Sequence, residues 1–246
     1  MTIQSANDLA SMRAVGRLVG EAIREMRAAI RPGMTTEQLD AVGERYLRRR
    51  GARSAPQLTY DFPGFNCISV NDEIVHGVPG PRVLNPGDVV KIDVTAELDG
   101  YIADSAVTVI IPPVTTAAHN LTQSARAAFK RAAKVAAANV RVAELGREVE
   151  AEVERWGHAV VHEMCGHGVG RALHEPPSVP NFFSPFTPGR LAEGMVIALE
   201  PIISESRTAV IEAEDGWTLR TANGCLAAHH EHTVVVGRNG LEILTA

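Results

Sequence analysis

The sequence has 246 residues, of which 45% are hydrophobic, enough to bury a substantial core in one large domain or two small ones. The formal net charge is -5 and the arginines are spread along the chain, which argues against nucleic-acid binding. Three cysteines without CxxC spacing argue against a disulfide framework or a thiolate zinc site, and neither a leader nor an apolar run long enough to span a membrane is apparent, so we expect a cytoplasmic protein that does not contact membranes.

The first part of the chain predicts two helices followed by strands. Apolar residues recur at helical spacing from Asn7 to about Arg31, where Pro32-Gly33 ends the pattern. A second helix is predicted to begin with a cap at Thr36 and to end at Gly51. Extended segments are then predicted around Cys67 to Val70 and Val89 to Val94.

The second part repeats this order. Alanine-rich helical periodicity runs from Thr115 to about Trp156 with a break near Val140 to Val142, and strands and loops follow. The segment from Leu84 to Asp93 also resembles the segment from Leu191 to Glu200. Each has a glycine three residues after the leucine, then an apolar strand and a carboxylate six residues after the glycine. Chance similarity of two turn-and-strand segments is the alternative; a true repeat would bring Asp93 and Glu200 into one central site.

The two carboxylates of this repeat lie in unusual surroundings. Asp93 stands between Ile92 and Val94, and Glu200 follows a run of four apolar residues. Withdrawing an unpaired carboxylate from water costs on the order of several kcal/mol, so each must be neutralised, paired or bound to a metal.

A hairpin is predicted to bring a third carboxylate to the same place. With Asp99-Gly100 as its two-residue turn, Asp93 lies opposite Ala106 and Thr95 lies opposite Asp104. The side chains of both aspartates then share one face of the sheet, with Cα atoms roughly 7 Å apart. Two such charges repel unless a cation lies between them or one is protonated, as in an aspartic-protease pair.

A fourth acid, Glu231, occurs in a β-branched run near the end of the chain. A solvated surface strand is one interpretation of this run. A carboxylate-rich centre that combines Glu231 with Asp93, Asp104, Glu200 and a histidine is the other, and such a donor set suits two divalent ions such as Mn, Fe, Co or Zn.

Seven short motifs occur along the chain. They are His76-Gly-Val-Pro, Ile-Asp93-Val-Thr95 with Asp104 eleven residues after Asp93, Cys-Gly-His167-Gly-Val-Gly, His174-Glu, Leu-Glu200-Pro, Trp217-Thr and His-Glu231-His-Thr. In order and spacing these motifs closely resemble type I methionine aminopeptidases, over nearly the whole chain from about Asn7 to Leu244. The resemblance implies a single catalytic domain over residues 1–246 with the α/β "pita-bread" fold, in which αα-β halves, roughly 7–111 and 115–244, are related by a pseudo-twofold axis around a mainly antiparallel sheet.

The same resemblance implies the roles of individual residues. The implied metal ligands are Asp93, Asp104, His167, Glu200 and Glu231. They would hold two divalent ions, which could be Co, Mn, Fe, Zn or Ni, and a hydroxide shared by both ions would be the nucleophile. Glu200 would also be the general base, while His76 and His174 would bind the substrate and stabilise the tetrahedral intermediate.

The implied reaction is removal of the initiator methionine from nascent polypeptides whose second residue is small. Cys67, Trp217 and Phe62 would line the methionine pocket, with ordinary core packing as the alternative. Residues 56–66 and Leu173, where an aromatic residue is frequent, depart from the usual family pattern and leave the shape of the pocket open. The implied partners are nascent N-termini at the ribosome, and we expect a monomer.

Three alternatives to this family fit the sequence less well. Aminopeptidase P and prolidase share the five ligands but generally carry an additional N-terminal domain, whereas only about 75 residues precede His76. Type II methionine aminopeptidases carry an insertion in the second half that this length does not accommodate. An inactive binding module on the same fold is disfavoured because all five ligand positions are intact.

Overall fold

The computed structural model describes residues 1–246, which form five helices and fifteen strands. The helices are α1 (Ala6–Ala29), α2 (Thr36–Arg48), α3 (Ala55–Tyr60), α4 (Thr116–Val135) and α5 (Val142–Arg155). The strands are β1 (Arg53–Ser54), β2 (Cys67–Val70), β3 (Glu73–Val75), β4 (Val89–Leu98), β5 (Tyr101–Ile110), β6 (Ala159–Val160), β7 (Cys165–Gly168), β8 (Glu175–Pro180), β9 (Val196–Leu199), β10 (Ile202–Ser204), β11 (Val210–Glu212), β12 (Leu219–Thr221), β13 (Ala227–His229), β14 (His232–Val236) and β15 (Leu241–Ile243).

Both predicted N-terminal helices are present, with one correction at a cap. The cap of α2 is Thr35, not Thr36: its side chain accepts the N–H of Gln38, and the Gln38 side chain accepts the N–H of Thr35. This reciprocal capping box satisfies two backbone donors, whereas Thr36 is already helical and its hydroxyl donates to the carbonyl of Gly80 instead. The helix then ends at Arg48, one turn before Gly51.

Helix α3 was not predicted, since six residues are too few to show a helical period. Its start follows ordinary capping rules: the Ser54 hydroxyl accepts the N–H of Gln57, and Pro56 lies in the first turn, where its missing N–H costs nothing. The helix ends at Tyr60, and its C-cap, Asp61, is left-handed with φ of 58°. Tyr60 thereby lines the cavity described below.

Four strands of the first half, β1, β2, β4 and β5, form one antiparallel sheet around β4. The hairpin of β4 and β5 has the predicted register, in which Leu98 faces Tyr101 and Thr95 faces Asp104. Strands β2 and β1 pair in succession along the other edge of β4, and this pairing sets Cys67 opposite Asp93. Helices α1 and α2 contribute to the apolar cluster beneath this sheet.

The second half contains a five-stranded antiparallel sheet in the order β15-β14-β9-β7-β8. Helices α4 and α5, separated at the predicted break, pack with it in a second apolar cluster. Two three-stranded antiparallel sheets, β13-β10-β6 and β11-β12-β3, complete the fold.

Backbone and hydroxyl hydrogen bonds join the two halves next to the predicted carboxylates. Glu231 and Ala106 exchange backbone hydrogen bonds of 2.9 and 3.4 Å. The Thr108 hydroxyl donates to the carbonyl of His229 and accepts its N–H. Strand β5 is therefore held against the segment that carries Glu231. None of the five helices combines the length and apolar character that a membrane span would need.

Candidate metal centre and active site

A cavity of about 360 Å³ is lined by every site residue predicted from the sequence. The metal-ligand candidates are Asp93, Asp104, His167, Glu200 and Glu231, and the substrate-binding candidates are His76, His174, Cys67, Phe62 and Trp217. The two sets occupy one continuous space, although their members come from strands and loops far apart in the chain.

The two aspartates meet on one face of the β4–β5 hairpin. The Asp93 and Asp104 carboxyl groups lie close enough together to influence each other's ionisation. The Thr95 hydroxyl donates to Asp104 Oδ1 at 2.7 Å, and the Asp104 backbone is bound by the Thr233 hydroxyl at 2.8 Å on both its N–H and its carbonyl. The hairpin register thus explains the pairing of the aspartates, and the contact with Thr233 ties them to β14.

Glu200 and His167 approach from the second sheet. His167 lies on β7 and pairs with β9, and Glu200 directly follows β9. His167 Nε2 is 3.3 Å from Glu200 Oε1 and 4.0 Å from Asp104 Oδ2. His167 Nδ1 lies 2.9 Å from the carbonyl of Gly168, so Nδ1 donates and Nε2 presents its lone pair to the carboxylates.

A second histidine at this centre was not singled out from the sequence. His229 is 2% exposed, and its Nε2 lies 3.4 Å from Glu231 Oε2 and 3.6 Å from Glu200 Oε2. Two groups of potential ligand atoms result, Asp104–His167–Glu231 and Glu200–His229–Glu231, each with its atoms within 4.8 Å of one another. They share Glu231, and Asp93 adjoins the first group through Asp104.

The pKa values at the centre are shifted because several acids are buried close to one another. Burial, reinforced by the neighbouring acids, raises the pKa values of Asp93, Glu200 and Glu231 well above their usual range. Burial also raises the pKa of Asp104, and the hydrogen bond from Thr95 counteracts part of that rise. Burial lowers the pKa of His229 to about 3, so its ring is neutral at neutral pH. No lysine or arginine pairs with these acids.

The unpaired atoms fit divalent cations. Glu200 Oε1, Glu231 Oε1 and both ring nitrogens of His229 are buried without a hydrogen-bond partner. A buried polar atom left unpaired costs about 1–3 kcal/mol, and more when it is charged. Carboxylate oxygens with neutral imidazole nitrogens are the donor set of Mn, Fe, Co and Zn sites, and cations would neutralise the acids and could bind Glu231 Oε1 and His229 Nε2.

The other two predicted histidines line the cavity and remain accessible to solvent. The rings of His174 and His167 lie 4.3 Å apart between centroids. Tyr60, which was also missed from the sequence, places its hydroxyl 2.6 Å from His174 Nδ1. Desolvation lowers the pKa values of His76 and His174, which favours neutral rings.

An apolar wall adjoins the carboxylates. Phe62 and Trp217 meet edge to face with ring centroids 5.3 Å apart, and Phe62 is 4% exposed. Cys67 lies beside Asp93, and burial raises the pKa of its thiol, so it behaves as a small apolar group. Leu173 adds a buried aliphatic surface. The cavity is also lined by Met164, which lies outside the seven motifs, and by Cys165, which begins the motif that contains His167.

Comparison with known proteins places this geometry in a family. A model described as Metallopeptidase family M24 matches residues 10–238. The chain belongs to metallopeptidase family M24. Membership explains why acids and imidazoles converge in one cavity, because a metallopeptidase needs a divalent metal, and the resemblance inferred from the seven motifs is confirmed.

Relatives of this M24 chain match it from end to end. The chain is 39% identical to methionine aminopeptidase 2 of Bacillus subtilis over 100% of its own length and 99% of that protein, and 37% identical to a methionine aminopeptidase of Clostridium perfringens over 99% and 98%. The crystal structure of methionine aminopeptidase from Thermotoga maritima superposes with a TM-score of 0.96 at 35% identity, covering 100% and 99% of the two chains. The expected pita-bread α/β fold is confirmed.

Prolidases share the fold but are longer than this M24 chain. Prolidase from Pyrococcus furiosus superposes with a TM-score of 0.81 at 22% identity, and the chain covers 65% of it. At that identity the likeness concerns the fold alone.

Proposed function

We propose that the chain is a metal-dependent aminopeptidase that removes N-terminal methionine from polypeptides whose second residue is small. The observation that carries this proposal is the cavity itself, where an apolar wall adjoins a buried carboxylate and imidazole centre. Full-length relatives named methionine aminopeptidase support the same activity.

We propose that the centre holds two divalent ions. The candidate ligands are those inferred from the motifs, namely Asp93, Asp104, His167, Glu200 and Glu231. Two groups of potential ligand atoms that share Glu231 support this proposal, and these residues would hold the ions. Bound ions supply Lewis acidity, which polarises the scissile carbonyl and lowers the pKa of water towards neutrality.

The remaining chemistry belongs to residues of the chain. Phe62, Trp217 and Cys67 would receive the unbranched methionine side chain, since the wall they form is apolar. Glu200 would take a proton from the attacking water at its unpaired Oε1 and pass it to the nitrogen of the leaving peptide.

His174 would stabilise the oxygen that becomes negative as water attacks. When the Tyr60 hydroxyl donates to Nδ1, the proton of the neutral ring stays on Nε2, and Nε2–H can donate to that oxygen. His76 lines the same cavity and would hold the peptide next to His174.

The substrate is proposed to be the exposed N-terminus of a polypeptide. Contact with the ribosome, a monomeric state and a cytoplasmic location remain predictions from the sequence. The net charge of -5 does not favour binding to ribosomal RNA. We therefore expect a short peptide to be cleaved in the absence of ribosomes.

The decisive experiment compares two tripeptides on protein reconstituted with Mn(II) or Co(II). We expect cleavage of Met-Ala-Ser with release of methionine, and no cleavage of Ala-Pro-Ala. Cleavage of only the proline peptide would replace the proposal by a proline-specific activity. Cleavage of neither peptide at full metal occupancy would favour a binding module on the same fold.

A further inference from the structure

His229 is held rigidly at the centre, although none of the seven motifs marks it. It ends β13, where it pairs with Ile202 of β10. Its backbone N–H and carbonyl are both bound to the Thr108 hydroxyl, at 2.9 and 2.8 Å. The side chain is 2% exposed and lines the cavity, so its ring points at the carboxylates from a fixed backbone.

The contacts of this ring are not those of a hydrogen-bonded core histidine. Nε2 lies 3.4 Å from Glu231 Oε2 and 3.6 Å from Glu200 Oε2, and neither ring nitrogen has a hydrogen-bond partner. Both separations exceed the usual 2.7–3.2 Å of an N–H···O bond. A buried imidazole without partners needs another explanation.

The separations match those between two ligands of one ion. Ligand atoms about 2.1 Å from a metal lie roughly 3.0–3.6 Å apart at the angles of about 90–120° found in four- to six-coordinate sites. His167 Nε2, an expected ligand, lies 3.3 Å from Glu200 Oε1, so the two histidines flank Glu200 at similar distances, one on each oxygen.

We propose that His229 is a metal-ligating residue, with Nε2 joining Glu200 and Glu231 around one ion of the centre. The inference rests on the proposed metal-dependent function. The centre would then hold two imidazoles, His167 and His229, one beside each oxygen of Glu200, and Glu231 belongs to both groups of ligand atoms. A second nitrogen ligand favours Co, Fe, Zn or Ni over Mg or Ca, which prefer oxygen ligands.

The test counts imidazole ligands directly. Proton NMR of the full chain loaded with two equivalents of Co(II) should show two solvent-exchangeable imidazole N–H resonances shifted far outside the diamagnetic range. Labelling histidine with ¹⁵N identifies them. His229→Gln should remove one of the two and weaken the binding of one Co(II) by about 10–100-fold, by calorimetric titration.

His230→Gln is the matched control. The neighbouring ring of His230 meets Phe129 edge to face and does not line the cavity, so both resonances and both affinities should persist. Circular dichroism of the metal-free variants verifies folding. If His229→Gln does not fold, the wild-type count of resonances decides alone.

A single shifted resonance in the wild type, or an unchanged spectrum and affinity in His229→Gln, would overturn the assignment. Its failure is separable from failure of the proposed function. Wild-type protein that cleaves Met-Ala-Ser but shows one resonance refutes only the ligand assignment. Two resonances without cleavage support the assignment and refute the function.

Discussion

Asp104 shows how a single residue can be held in a position that is unfavourable to it. Thr95 binds its carboxylate, Thr233 binds its backbone on both sides, and Asp93 lies beside it, while burial still raises the pKa of the side chain. Fixing an acid so firmly where its charge is disfavoured makes sense when a cation restores the balance.

Replacing Asp104→Asn tests that role. The amide keeps the size of the side chain and an oxygen for the Thr95 hydroxyl, but removes the negative charge. We expect lower metal occupancy and a fall in kcat of at least about 10–100-fold, measured by metal analysis and Met-Ala-Ser turnover. Asp99→Asn in the exposed turn of the same hairpin is the control and should behave as wild type. Near-normal turnover in the Asp104 variant would remove this residue from the site.

Tyr60 contacts His174 through one hydrogen bond. Its substitution should therefore lower turnover less than the Asp104 substitution does. Tyr60→Phe should lower kcat by about 3–10-fold with little change in KM, because a hydrogen bond contributes about 1 kcal/mol and this one orients a ring needed in the transition state. Tyr46→Phe, whose hydroxyl binds Glu21 away from the cavity, is the control. An unchanged kcat, or a change confined to KM, would argue against the orienting role.

Among the elements, β7 depends on a glycine beside the predicted ligand His167. A Cβ on Gly166 would lie 2.4 Å from the carbonyl oxygen of Ala198 on β9, closer than real contacts allow. Gly166→Ala should therefore push β7 away from β9, destabilising the protein by about 1–3 kcal/mol and lowering metal affinity.

The control for this prediction is Gly240→Ala, where the added Cβ meets nothing within 4 Å. Thermal unfolding with and without metal should show a large effect for the first substitution and a small one for the second. Equal stability of the two variants would show that β7 can shift without cost.

Some elements can be predicted from local sequence patterns alone. The β4–β5 hairpin was predicted to the residue, because a two-residue Asp-Gly turn leaves only one register. Gly87 and Gly194, the turn glycines of the proposed repeat, both have positive φ, at 91° and 81°, and each precedes the strand leading to Asp93 or Glu200. The division into two related halves at 7–111 and 115–244 remains a proposal, which this shared feature supports.

For the whole molecule, the buried acids predict that metal, pH and stability are linked. The folded-state pKa values of Asp93, Glu200 and Glu231 lie above their unfolded values, so the folded protein binds more protons. Their contribution to stability is fully present below the unfolded pKa values and is lost as the pH rises through the raised folded values. The free energy of unfolding of the metal-free protein should consequently fall between acidic and neutral pH, because these acids ionise more readily in the unfolded chain.

Glu231→Gln isolates this effect, because an amide mimics the protonated acid. In the presence of a chelator, its Tm should exceed that of the wild type by an amount that grows between about pH 5 and pH 8, reaching at least about 2–4 °C. With saturating Mn(II) the order should reverse, because the wild type gains more from the ion. A difference that does not vary with pH would mean that the folded protein does not suppress the charge of Glu231.

Local order and residue type follow from the amino-acid sequence alone: two helix pairs, the hairpin register, and seven motifs whose spacing indicates the family. Which side chains meet depends on how the sheets pack. Short α3 gave no periodic signal, yet it brings Tyr60 to His174. His229 resembled any histidine near a strand until strand pairing placed it between Glu200 and Glu231. The physical reason is that turns and helices depend on neighbours in the chain, whereas a site assembled from separate strands depends on distances that only the packed sheets define.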